Sequence, residues 1–357
     1  MMTHFLKDIL RQPGELQRAL DRLTGPDRAH LDQAAAAIRR ARHVYLTGIG
    51  ASWHAALSAG VQFDLGGSPV YLRDASELLH FAKIPADSTL IVLSRSGQSI
   101  EIVRLLAKAR AAGATVLGIT NAVDGTLARE STIAVVVPTE RDHGISVNTY
   151  STLGLAAALL AAAALGNLDS ALIDSLSSAF ENSVDSLQTW QEQIKDSEWF
   201  APAAPYYFLA RGGSLGTCHE ARLLWEEGVK HAASAMSTGN FRHGPQEISR
   251  PGLRVGMWID ATLMRGEDLA VAGDLRRLGA SLLLIGQNLP QRTAALTLQL
   301  PRIPAEWQFL IDALPVQLGA EYLSRASGVD CDSFRVCSYV VEGESGLLAE
   351  NQALPKD

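Results

Sequence analysis

The chain is poor in cysteine, in excess positive charge and in long apolar runs. Its three cysteines, Cys218, Cys331 and Cys337, make an odd count without paired spacing. That excludes a disulfide framework and a zinc site built on cysteine pairs, and fits a reducing compartment. Lys and Arg number 31 against 38 Asp and Glu, a net charge of −7. No overall cationic field exists to hold nucleic acid or an anionic membrane, although one basic cleft stays compatible with that balance. The most apolar stretch, 153–165, has 13 residues. A bilayer needs about 20, so this stretch reads as a buried helix. In the opening MMTHFLKDILRQPGEL, Lys7, Asp8 and Arg11 interrupt any apolar core, which argues against a signal peptide. A cytoplasmic protein is expected.

What is present is ordinary globular material: 47% hydrophobic and 19% charged over 357 residues. At about 150 residues per domain, that length suggests two domains. Short apolar runs at 44–48, 70–72, 89–94, 115–120 and 133–138 read as buried strands, with helical patterns between them at 52–65, 75–82, 99–112 and 124–130. Such alternation predicts a parallel sheet covered on both faces. The stretch 167–200 is polar, helical in period and without a strand candidate. Alternation then resumes, with strands at 206–210, 253–259 and 281–286 and helices at 217–227, 267–278 and 306–326. The expected division is an arm over 1–25, an α/β unit over 26–166, a helical connector over 167–200, a second unit over 201–340 and a tail over 341–357. TGIGAS at 47–52 and ARGGS at 210–214 are similar turns after each unit's first strand, a hint of internal duplication.

Four segments can carry chemistry. SRSGQS, Ser94 to Ser99, joins a strand to a helix. Helix-start amides point outward and the dipole there is positive, so hydroxyls and a glycine at this place make a nest for a phosphate. Simple helix capping by serine explains the same residues. GIGAS at 48–52 is a truncated dinucleotide fingerprint; Trp53 stands where a third glycine belongs, which disfavours a nicotinamide cofactor. Gly50 and Ser52 facing the crevice of Ser94–Ser99 is the more economical reading. In HEARLLWEEGVKH, a zinc-protease pattern would need His where Leu223 stands. Glu220 and Glu227 are seven residues apart, about 20° apart on an α-helix, and share a face; two solvated carboxylates would look the same. In GNFRHGPQE, His243 lies in a glycine- and proline-bounded loop, and imidazole is the side chain best placed to exchange protons near neutral pH.

Together these segments resemble the tandem sugar isomerase (SIS) family, in particular the isomerase half of glucosamine-6-phosphate synthase. LSRSGQSIE is similar to the family signature S-x-S-G-x-[ST]-x-[DE], TGIGASWHA to its first phosphosugar loop, and RGGSLGTCHEARLLWEEGVKH with GNFRHGP to the second unit. GVDCDSFR at 328–335 is similar to the start of its C-terminal tail. The resemblance implies two SIS-type α/β units in tandem, each a parallel sheet of about five strands with helices on both faces.

It also implies roles. Ser52, Ser94, Ser96 and Ser99 would bind the sugar phosphate, with the Arg95 and Gly97 amides and Gly50 assisting. Glu227 would move a proton between C1 and C2, and His243 would assist ring opening. Glu220 and Tyr339 would support them. Neither a metal nor an organic cofactor is required. The implied partner is a phosphorylated sugar or amino sugar, and the implied assembly is a homodimer. A protein without the glutaminase region is expected, and the residues depart from the synthase in places that bear on activity: Tyr339 stands where the synthase has its imine-forming lysine, and Leu224 replaces another lysine. The family's A-S-T-K reads S-V-N-T at Ser146–Thr149. An isomerase or amino-sugar-phosphate deaminase is expected, with a sugar–amino-acid phosphate deglycase or a non-catalytic phosphosugar-binding regulator as alternatives.

Overall fold

The computed structural model describes residues 2–202, 204–291, 293–344 and 346–347; of the expected tail over 341–357, residue 345 and those from 348 lie outside the described residues. The chain divides into two compact units. One comprises Arg18–Leu168 and the described residues from Asp332; the other comprises the described residues up to Gln17 and Asp169–Cys331.

The first unit contains α2 (Arg28–Arg40), β1 (His43–Thr47), α3 (Ala51–Leu65), β2 (Tyr71–Leu72), α4 (Ala75–Phe81), β3 (Ser88–Ser94), α5 (Ile100–Ala111), β4 (Thr115–Thr120), α6 (Thr126–Glu130), β5 (Ile133–Val136) and α7 (Asn148–Leu165). An earlier helix, α1 (His4–Thr24), runs across the unit boundary. The sheet is wholly parallel in the order β2-β1-β3-β4-β5. Every residue of β3, STLIVLS, is buried, as a central strand covered on both faces requires. The apolar stretch noted at 153–165 is the body of α7, which packs on α2 and α3 with 16 of its 18 residues buried. By length and composition α7 could cross a bilayer, but its apolar surface lies inside the unit.

The second unit contains α8 (Ser170–Lys195), β6 (Tyr206–Ala210), α9 (Ser214–Leu224), β7 (Ala233–Ser237), α10 (Thr238–Phe241), β8 (Arg254–Trp258), α11 (Arg265–Arg277), β9 (Ser281–Gly286), β10 (Leu296–Gln299) and α12 (Leu314–Ala326). Its sheet is also parallel, in the order β10-β9-β8-β6-β7. Read in chain order within the unit, this is the 2-1-3-4-5 arrangement of the first sheet. The duplication hinted at by the glycine turns is therefore a duplication of topology, and each first loop holds a left-handed glycine: Gly50 at φ 57° and Gly212 at φ 53°.

Strands β7 and β10 escape the sequence pattern. ASAMS is half-buried throughout and has no β-branched or aromatic residue, so it pairs as an edge strand without a hydrophobic signature. The helix expected as a connector over 167–200 folds as α8 within the second unit. Leu176, Ala179, Phe180, Leu187, Trp190 and Ile194 recur at helical spacing and are buried, and α8 packs on α12. At the other end, residues from Asp332 return to the first unit, although the linear reading gave them to the second as far as 340.

Candidate functional site

In a 2-1-3-4-5 sheet the strand order reverses between the first and third strands, and the carboxyl ends there form a crevice. Strands β1 and β3 are neighbours in register, with Thr47 opposite Val92. The loops that leave them are Gly48–Gly50 and the Ser94–Ser99 turn. Gly48 is dictated by packing, since a Cβ there would lie 2.7 Å from the Ser52 backbone. Gly50 precedes α3 at φ 57°, and Ser52, in the first turn of α3, is buried.

The Ser94–Ser99 turn is held from inside. Ser94 Oγ is buried and accepts the Gly97 amide at 3.0 Å, and Ser96 Oγ accepts the Gln98 amide at 3.2 Å. Gly97 has φ 64°, and its carbonyl accepts the Leu127 amide at 3.1 Å. A Cβ at Gly97 would lie 3.0 Å from that of Leu127, so both conformation and space select glycine. Ser99 precedes α5 but makes no side-chain cap hydrogen bond. Serines 94, 96 and 99, Arg95 and Gly97 therefore share one turn at a helix start, a geometry able to hold an anion.

A cavity of about 330 Å³ adjoins this turn, lined among others by Arg95, Ser96, Gln98, Arg141, Thr149 and Tyr339. That volume is at the small end of ligand-site sizes, roughly 300–1,000 Å³. The Arg95 guanidinium donates to Gly144 O at 3.3 Å, Ser146 Oγ at 2.8 Å and Tyr339 O at 2.5 Å, all neutral acceptors. Its Cζ lies 3.8 Å from the Tyr339 ring centroid, and that of Arg141 lies 4.1 Å from the same centroid. Both guanidinium groups therefore pack on the Tyr339 ring.

The segment carrying Tyr339 is a strap across the turn. The Ile100 amide, first in α5, donates to Val341 O at 3.0 Å. Glu344 accepts from His80 at 2.9 Å and from Arg104. Each guanidinium–ring contact contributes about 0.5–2 kcal/mol. Tyr339→Ala is accordingly expected to raise deuterium uptake in the peptides covering 332–344 with little change in β3 or β4. Unchanged uptake over the strap would show that the ring does not anchor it.

Behind the cavity, the Ser146–Thr149 segment is organised by Asp142. This fully buried carboxylate accepts the amides of Val147, Asn148 and Thr149 at 3.0–3.1 Å, together with Asn148 Nδ2 at 2.7 Å and Thr149 Oγ1 at 2.6 Å. It thereby caps α7. Sequence reasoning missed Asp142 and Arg141. The available signal was their place in RDHG, in the loop that follows the edge strand β5 at the carboxyl end of the sheet.

In the second unit the corresponding crevice is filled by the protein's own charges. Arg211, after β6, donates from Nε to buried Asp268 Oδ1 at 2.6 Å. Asp268 Oδ2 accepts the Asp260 amide at 3.2 Å, and Asp260 Oδ2 accepts the Met264 amide at 2.7 Å, just before α11. Burial raises the Asp268 carboxyl above its ordinary range, and the bond from Arg211 opposes that rise. Carboxylates thus occupy the helix-start position that in the first unit is met by the Val341 carbonyl.

The second unit also holds Glu220, Glu227 and His243. Glu220 is buried in α9. Glu227 is half-buried in a π-helical turn, Trp225–Val229, that continues α9. The Lys230 amide bonds to Trp225 O, five residues back, and the Lys230 ammonium donates to Glu227 O. A π-turn widens the helix, so the 20° offset expected for Glu220 and Glu227 on an ideal α-helix does not carry through it. Such turns recur at functional sites. His243 is exposed after α10, its amide bonded to Asn240 O at 3.0 Å, and Gly244 follows at φ 126°. Among the described residues, no group of three or more His, Cys, Asp or Glu side chains could hold a metal ion.

Two parallel sheets of the same strand order define a tandem, doubly wound α/β protein. Residues 37–165, within the first unit, match the family described as SIS domain, and the fold is that of two SIS-type units in tandem. Over 352 residues it is 29% identical to the glutamine–fructose-6-phosphate aminotransferase (isomerizing) of Symbiobacterium thermophilum, covering 93% of this chain and 58% of that one. The chain thus spans less than two thirds of that relative's length. Among solved structures it resembles the C-terminal domain of glucosamine-fructose-6-phosphate aminotransferase from Francisella tularensis, with TM-score 0.82 and 20% identity over 93% of this chain and 98% of that one. It also resembles glucosamine-6-phosphate deaminase from Thermotoga maritima, with TM-score 0.79 and 20% identity over 95% of this chain and 99% of that one.

Proposed function

We propose that the chain is a phosphosugar enzyme that isomerises, or isomerises and deaminates, a hexose 6-phosphate derivative. The observation that carries this reading is the Ser94–Ser99 turn, set at the strand-order reversal, opening a helix and adjoining a cavity of about 330 Å³. In this reading the turn, with Gly50 and Ser52, grips the phosphate. Anchoring the substrate there lets binding energy far from the reacting carbons orient them. Glu227 takes the proton from one of two adjacent carbons and returns it to the other, through an enediol(ate) on a sugar or an enamine on an amino sugar. His243 assists ring opening. Its exposure suits a residue working in a homodimer, which the family resemblance implies.

Tyr339 at the imine-lysine position favours chemistry that needs no imine with the protein. With an amino group already on C2, removal of the C2 proton and protonation of C1 give a ketimine, which water hydrolyses to the ketose and ammonia. The relatives' printed names, an isomerizing aminotransferase and a deaminase, are compatible with either outcome.

A thermal-shift series with glucosamine 6-phosphate, fructose 6-phosphate and a 6-phosphorylated sugar–amino-acid conjugate tests the reading. A native-state ligand at 100 times its Kd stabilises by about 2.7 kcal/mol, a readable rise in Tm. Ammonia release from glucosamine 6-phosphate would mark a deaminase, and interconversion without ammonia an isomerase. Turnover of the conjugate alone would mark a deglycase, and binding without turnover a regulator. No shift with any of the three would overturn the proposal.

A further inference from the structure

Asp312 lies between a 3₁₀ turn (Ala305–Leu310) and α12, is fully buried, and has no part in the chemistry above. Its Oδ2 accepts Ser214 Oγ at 2.6 Å and its Oδ1 accepts Thr217 Oγ1 at 2.7 Å. These are the first residue of α9 and the residue one turn along it. Gln308 Nε2 reaches Ser214 Oγ at 3.5 Å, and the Trp258 indole donates to the Asp312 carbonyl at 3.0 Å. The groups facing the carboxylate are thus Ser214, Thr217 and Cys218 of α9 and Gln308 of the 3₁₀ turn, while Trp258 of β8 holds the backbone carbonyl. No cation is among them, and burial pushes the Cys218 thiol up, which keeps it neutral.

A buried carboxylate without a cation is unfavourable, and apolar side chains of like volume would fill the space more cheaply. What the carboxylate adds is two short charge-assisted bonds, each fixing one residue of a single helical turn, at the positive end of that helix. Helix α9 passes directly into the π-turn of Glu227, so a shift at its start displaces that carboxylate.

We propose that Asp312 is a positioning residue whose carboxylate clamps the first turn of α9 and thereby sets the placement of Glu227. The part concerning Glu227 rests on the function proposed above; the clamp does not. Burial raises the Asp312 carboxyl from its usual range to about 7, opposed by its bonds from Ser214, Thr217 and Gln308. An acid raised on folding contributes stability that is full below the unfolded value of about 3.9 and is lost as pH climbs through the folded value.

Asp312→Asn preserves the shape and can still bond both hydroxyls, but it cannot ionise. The Tm of the parent is therefore expected to fall relative to that of Asp312→Asn between pH 4 and 7.5. At pH 8, deuterium uptake in the start of α9 should rise at least threefold in the variant. With glucosamine 6-phosphate (exchange at C2) and fructose 6-phosphate (exchange at C1) as probes, proton exchange should lose tenfold or more in kcat with KM within twofold. The parent's rate is expected to rise between pH 6 and 8, and that rise should vanish in the variant.

Unchanged α9 uptake, or a pH–Tm difference that stays flat, overturns the clamp whatever the enzyme does. If Glu227→Gln abolishes exchange while Asp312→Asn keeps the parent's kcat and pH profile, the positioning role falls and the proposed function stands. If Glu227→Gln exchanges as fast as the parent, the proposed function falls, and uptake and Tm still judge the clamp.

Discussion

Glu227→Gln is expected to lower turnover by about 10²–10⁴-fold, the range over which a positioned general base acts. Sugar-phosphate binding should persist, because the substitution is nearly isosteric and the anion nest is built from other residues. The π-turn sharpens this expectation. Trp225 and Val229 are buried while Glu227 is half-buried, so the turn is anchored on its apolar side and Glu227 keeps partial exposure. Solvent-deuterium exchange at C2 measures the chemical step, and thermal shift with the same ligand measures binding. If turnover and binding are lost together, Glu227 serves the fold rather than proton transfer. A fully active variant would assign the proton to another residue.

Asp142→Ala is expected to give the largest loss of stability, about 3–5 kcal/mol, as for other broken buried charge networks. Five donors converge on that carboxylate, three of them amides at the start of α7. Alanine leaves them buried and unpaired, each at a cost of about 1–3 kcal/mol before relaxation. It also removes a negative charge from the positive end of a helix buried on nearly every side. At about 2–4 °C per kcal/mol for a unit of this size, Tm should fall by roughly 6–20 °C. A fall of less than 3 °C would mean that water or a moved side chain replaces the carboxylate. Thr149 and Arg141 line the cavity, so the variant should also bind sugar phosphates more weakly at temperatures where it remains folded.

Strands β1, β3, β4, β6, β8 and β9 are legible in the sequence because buried parallel strands must be continuous apolar runs. Helices α3, α4 and α5 follow from the periodic segments between those runs. The Ser94–Ser99 turn is legible because its chemistry is local: hydroxyls, one left-handed glycine and a helix start, all within six residues. The π-turn is not, since a widened turn leaves no composition signature and the 3.6-residue count runs straight through it. Nor is the strap. Tyr339 lies 244 residues from Arg95, and only the return of the chain to the first unit brings a ring against two guanidinium groups.

Sequence alone determined two parallel α/β units and the place of a serine-rich turn, because hydrophobic period and helix-start chemistry act over a few residues. Tertiary structure decided what meets each helix start. In the second unit Asp260 and Asp268 fill theirs, while in the first unit the Val341 carbonyl meets the Ile100 amide and the serine turn adjoins a cavity. That choice depends on carboxylates and guanidinium groups brought together from distant parts of the chain, and attraction over a few ångströms in space has no fixed distance along a sequence.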